Sequence, residues 1–83
     1  MPTVAIVDGI KIQFYNDEHP PSHFHAESAE HQAMISIDTL EILEGYLPRP
    51  QYRKVVAWAE SRKSALLDAW IACQSDRNPG KIP

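Results

Sequence analysis

Three of the four histidines in this sequence fall within seven residues, His19-Pro20-Pro21-Ser22-His23-Phe24-His25. Imidazole both ligates divalent metals and exchanges protons near neutral pH, so a histidine cluster is where chemistry is expected first. His23 and His25 stand two apart, which on a β-strand sends both side chains to one face with their Cα atoms ~7 Å apart. Phe24 then turns to the other face, into a core. Three readings of the cluster stand side by side. In one, His23 and His25, with His19 or Glu27, hold a divalent metal such as zinc and leave a coordination position open for chemistry. In another, His19, His23 and His25 supply a metal-free acid and base that act on a phosphodiester. In the third, the rings hydrogen-bond to loop backbone and hold the Pro-Pro turn against a sheet. His31 joins His25 if the strands on either side of the intervening turn pair at that point.

The neighbours of the cluster are read in the same way. Tyr15 ends a strand close to the histidine loop and offers either packing or a hydroxyl donor. Asp17 and Glu18, directly before His19, either favour a charged His19 or keep the loop soluble. His23-x-His25 followed by Glu30 copies the spacing of a cupin metal motif, yet 83 residues are too few for the closed double-sheet barrel that frames it. Pro2 could act as an N-terminal proline base as in the small tautomerases, but those place a helix after the first strand. The single cysteine, Cys73, excludes an intrachain disulfide and a Cys-rich zinc site and is read as a plain small residue.

The elements that must position these residues are legible from periodicity. Thr3 to Val7 is β-rich, Asp8-Gly9 is a hairpin turn, and Ile10 to Tyr15 alternates apolar and polar with period 2. Asn16 to Pro21 is a loop, because its two prolines cannot donate to a sheet ladder. Further strands are expected over His23–Ser28, Ala33–Asp38 and Glu41–Glu44, with Gly45 ending the last. Pro48-Arg49-Pro50 then changes the period, and Pro50 suits a first helical turn. Tyr52, Val56, Ala59, Leu66 and Trp70 recur at helical steps, with Lys63 inside the stripe. Either the Lys63 stem reaches past the core edge or the helix kinks at Arg62-Lys63-Ser64. Trp58 and Trp70 give the helix face its bulk. The expected fold is α+β: an antiparallel sheet of four to five strands covered by one long C-terminal helix that is free to kink. A single domain is placed at residues 1–76 and a flexible tail at 77–83.

Length and composition set the limits. Eighty-three residues, 43% of them apolar, give one small core, close to the size at which a dimer or a partner protein helps stability. No apolar run has the ~18 residues of a membrane span, no signal peptide opens the chain, and a cytoplasmic setting is expected. The net charge of −3 is unevenly spread. Residues 1–48 hold one cation against eight carboxylates, whereas residues 49–63 hold Arg49, Arg53, Lys54, Arg62 and Lys63 against Glu60 alone. That basic segment is either a solvated helix face or a recognition strip for an anionic partner such as RNA.

The histidine motif, together with Gly9-Ile10-Lys11-Ile12 before it and Gly45-Tyr46-Leu47-Pro48 after it, resembles the small bacterial proteins of domain-of-unknown-function family 4160. The likeness runs from Met1 to about Trp70 and includes the Trp58-Ala59 pair. It departs at Ala57, where an acidic residue is more usual, and at Ala29-Glu30, where a Gly-rich turn is common. The resemblance implies a toxin half of a type II toxin–antitoxin pair, with a cognate small protein from a neighbouring gene as partner. Under that implication His19, His23 and His25 carry an RNA-directed activity. One imidazole would take the 2′-hydroxyl proton and another would protonate the leaving oxygen, while Arg49, Arg53 or Lys54 holds the phosphate. A non-catalytic interaction module, acting as a homodimer or in a partner complex, and a His-based metal-binding regulator are the other two functions expected.

Overall fold

The period-2 segments do build one sheet. A computed structural model describes residues 2–83. In it β1 (Thr3–Val7), β2 (Ile10–Gln13), β3 (His23–Ser28), β4 (His31–Ser36) and β5 (Ile42–Gly45) lie side by side in chain order, each antiparallel to the next. The start of the expected domain at Met1 lies outside the described residues.

Turn chemistry sets the register. Asp8 (φ 51°) and Gly9 (φ 82°) both adopt the left-handed region, as a tight primed turn requires, and bring Val7 opposite Ile10. Ala29 (φ 51°) does the same between Ser28 and His31, without the help of a glycine. Directly opposed residues share a face, so Ile12, Ala26 and Ala33 line one side and Phe24 with Ile35 continues it. All five are buried. Gln13, His25, Met34 and Glu44 form a cross-strand row on the other side. The strands differ slightly from expectation: β2 stops at Gln13, before Tyr15, and β4 begins at His31 and ends at Ser36.

The expected single helix is two helices. α1 (Arg49–Glu60) and α2 (Lys63–Gln74) are separated at Ser61-Arg62. Arg62 takes a non-helical backbone (φ −127°, ψ 16°), and its guanidinium donates from Nη1 to the Trp58 carbonyl at 2.7 Å while lying over the Trp58 ring. That contact satisfies a carbonyl in the last turn of α1, where the helix end leaves acceptors without intrahelical partners. The apolar stripe misled because its one seven-residue step, from Ala59 to Leu66, spans the break. Lys63 opens α2 and donates to the Asp38 carbonyl at 2.7 Å.

Val55 and Ala59 of α1, with Leu66, Ala69, Trp70 and Cys73 of α2, cover the apolar side of the sheet. Burial pushes the Cys73 thiol above its ordinary range. α2 ends in a Schellman arrangement: Arg77 N–H reaches the Ala72 carbonyl at 2.8 Å, Asp76 N–H reaches that of Cys73, and Asp76 sits at φ 56°. Beyond it, residues 77–83 run back to β1. Ile82 is buried and donates its N–H to the Val4 carbonyl at 2.8 Å, and Lys81 reaches the Thr3 carbonyl.

Candidate functional site

The chain from Phe14 to Ser22, between β2 and β3, carries Glu18 back over the start of β3. There a single atom, Glu18 Oε1, lies against Nε2 of both histidines of the H-x-H pair. It is 3.1 Å from His23 Nε2 and in closer contact still with His25 Nε2. One ligating atom from each of Glu18, His23 and His25 falls within 4.8 Å of the other two. The strand supplies two of the three groups at the spacing read from the sequence, and the loop supplies the third.

The hydrogen bonds around His23 decide what the cluster can do. Its Nδ1 lies 2.8 Å from the Pro21 carbonyl oxygen, which can only accept, so Nδ1 carries the proton. A neutral His23 therefore presents a lone pair at Nε2 to a carboxylate oxygen. Two acceptors face each other, and a cation between them, either a proton or a metal ion, resolves the conflict. A metal-ligating imidazole commonly donates its other N–H to a backbone carbonyl, the arrangement found here. His23 is 2% exposed and its ring meets Trp70 with centroids 4.8 Å apart. Both of its nitrogens are thus engaged inside the protein.

Glu18 is partly buried, and burial alone would raise its carboxyl above the usual range. With a proton in the place between the carboxylate and the rings, the hydrogen bonds from His25 and His23, and then their charge, outweigh that effect and hold it below its ordinary value. Its backbone is also fixed. Gln74, the last residue of α2, donates from Nε2 to the Glu18 carbonyl at 2.6 Å and accepts the Glu18 N–H at 3.3 Å.

His25 is half-buried, the more open of the two histidines, with Glu18 more exposed still. The Tyr15 ring lies over it at 4.1 Å between centroids. An open groove of about 260 Å³ begins there and is lined by Tyr15, His25, Gln32, Met34, Glu44 and Gly45.

The other expected site residues are placed elsewhere. His19 is exposed and lies outside the converging group. Glu27 accepts from Gln32, and His31 pairs opposite Ser28 and meets the Tyr46 ring, so neither reaches the cluster. Arg49 and Arg53 project from α1, and Lys54 pairs with Asp8 at the β1–β2 turn. Among the described residues no hydrogen bond or ion pair joins any of these three cations to the histidines. Tyr15 is the one expected partner that is brought in.

Sequence reasoning missed Glu18 as a member of the group and Gln74 as its support. Glu18 was visible only as the neighbour of His19, because no periodicity tells which way a loop side chain points. Gln74 is 56 residues away along the chain and left no local signal.

No curated protein and no solved structure matches this chain. Among the described residues no helix is long and apolar enough to cross a membrane. A family pattern described as "Domain of unknown function (DUF4160)" does match, over residues 9–71. That stretch takes in β2 to β5, α1, most of α2 and all three converging side chains, and the chain belongs to this family.

Proposed function

We propose that the protein binds one divalent metal ion of the zinc class through Glu18, His23 and His25 and works as a small metal-dependent effector. The observation that carries this reading is the convergence of three ligating atoms around a His23 whose Nδ1 proton is committed to a backbone carbonyl. Two histidines and a glutamate are a donor set that zinc accepts while keeping a further position open. Bound there, the ion supplies a Lewis acid and an acidified water. The residues do the rest. His23 anchors the site from inside, His25 and Tyr15 form its outer wall, and the groove toward Glu44 gives an approach over the polar face of the sheet.

A metal-free imidazole pair fits less well, because it needs a free nitrogen on each ring and His23 has none to offer a substrate. A toxin role with RNA as substrate is only what the resemblance implies, and the matched family, a domain of unknown function, adds nothing to it; His25 is the more open of the two histidines from which such chemistry would start.

The test is zinc titration of the purified protein, with growth on induced expression as the second measurement. One zinc per chain is expected, with binding abolished by Glu18→Ala and by His25→Ala and growth inhibition relieved in both. Absence of zinc, nickel and cobalt binding by the folded wild type would sink the metal reading. Inhibition that survives both substitutions would detach any toxin role from this site.

A second reading, the interaction module, draws on a different observation. Leu67 and Ile71, one turn apart on α2, are 42% and 47% exposed on a helix whose other side is already buried in the core. Light scattering of the protein alone and mixed with its cognate partner would show a dimer or a complex. A strict monomer in both samples would end that reading.

A further inference from the structure

The geometry points to Gln74 as the positioning residue of the Glu18–His23–His25 group. This inference rests on the metal reading for its function, though not for its geometry.

Glu18 belongs to a loop, and a loop carboxylate left to itself samples many directions. Two features hold it in place. Its carboxyl oxygen meets the two imidazoles, and its backbone N–H and C=O are both bonded by one primary amide. Gln74 satisfies the donor and the acceptor of the same residue, as a neighbouring strand would, and no other natural side chain of that length carries both groups. The backbone at Gln74 is fixed in turn by the Schellman turn through Asp76, which stops α2 directly behind it, and its side chain reaches Glu18 along the exposed surface. Trp70, four residues earlier and on the same side of α2, packs on the His23 ring. The last turn of α2 therefore sets both the ring of one ligand and the backbone of another.

Gln74 lies beyond the residues shared with the family pattern, which end at 71. Supporting contacts of this kind change metal affinity by roughly 10- to 100-fold when removed.

The experiment compares wild type with Gln74→Met, which keeps length and loses both hydrogen bonds, and Gln74→Glu, which keeps the acceptor and loses the donor. Zinc affinity is measured by competition with a chelating dye, and the histidine ring signals of the metal-free proteins by NMR. Gln74→Met is expected to bind zinc about tenfold or more weakly, to shift the His25 and His23 ring signals, and to change the visible spectrum of bound cobalt. Gln74→Glu falls between it and wild type. A mere loss of stability would leave the cobalt spectrum of the folded fraction unchanged. Affinity within twofold of wild type with unmoved ring signals would overturn the role of Gln74 and leave the metal site standing. Wild type that takes no zinc, with ring signals that still move in Gln74→Met, would overturn the metal reading and keep Gln74 as the residue that places Glu18. Should Gln74→Met fail to fold, Gln74→Glu decides by the same two measurements.

Discussion

At Glu18 two opposed effects act on one carboxyl, and the histidine contacts win over burial. The folded value lies below the unfolded one, near 4.5, so the interaction stabilises the native state above that pH and is lost as pH falls through the lower folded value. In metal-free protein, the stability difference between wild type and Glu18→Gln in urea melts should be complete near neutral pH and shrink below about pH 4.5. A constant difference across that range would show that the carboxylate charge contributes nothing. The two histidines should also separate. His23→Ala opens a hole under Trp70 and strands the Pro21 carbonyl, costing roughly 2–4 kcal/mol. His25→Ala, at the more open end, loses one hydrogen bond to the carboxylate and should cost less than that, roughly 1.5 kcal/mol, while still abolishing zinc binding. Equal losses in denaturant melts would contradict that division. At this scale the sequence shows which strand residues share a face, because the period of a strand is fixed. Glu18 and Gln74 are hidden, since a loop and a helix end meet only after the chain has folded.

The elements are stitched by residues in left-handed backbone, and these divide into those that need glycine and those that tolerate its absence. Gly45 (φ 83°) needs to be glycine, because a Cβ there would stand 2.2 Å from the Gln32 carbonyl oxygen. Gly45→Ala should cost at least ~2 kcal/mol and disturb the β4–β5 pairing beside the groove. Ala29 (φ 51°) is the opposite case, a residue with a Cβ at a turn position that glycine fits better. Ala29→Gly should raise the thermal midpoint by relieving up to ~1 kcal/mol of backbone strain; an unchanged or lower midpoint would mean that unfolded-state entropy cancels the gain. The Asp8-Gly9 hairpin was fully legible, since few dipeptides suit that turn. The division of the helix was not, because the seven-residue step across Ser61-Arg62 looks the same in one helix or two.

For the whole molecule, the uneven charge resolves into an acidic sheet half that holds the cluster and a basic α1 that does not reach it. The basic segment stands apart from the Glu18–His23–His25 group, and the acidic surroundings of that group suit a cation. Composition sets a small core, and Leu67 and Ile71 stand exposed on the outer side of α2. The strand order has one more consequence, for the time course of folding. Every strand pairs with its neighbour in the chain, so each loop closed in building the sheet is short and the sheet can zip hairpin by hairpin. Glu18, His23 and His25 lie within eight residues and assemble early, whereas the link from Glu18 to Gln74 spans 56 residues and waits for α2. Leu66→Ala in α2 should therefore accelerate unfolding and leave the refolding rate nearly unchanged in stopped-flow measurements. The three groups meet as the sheet zips, but they become a fixed site only when the last helix docks.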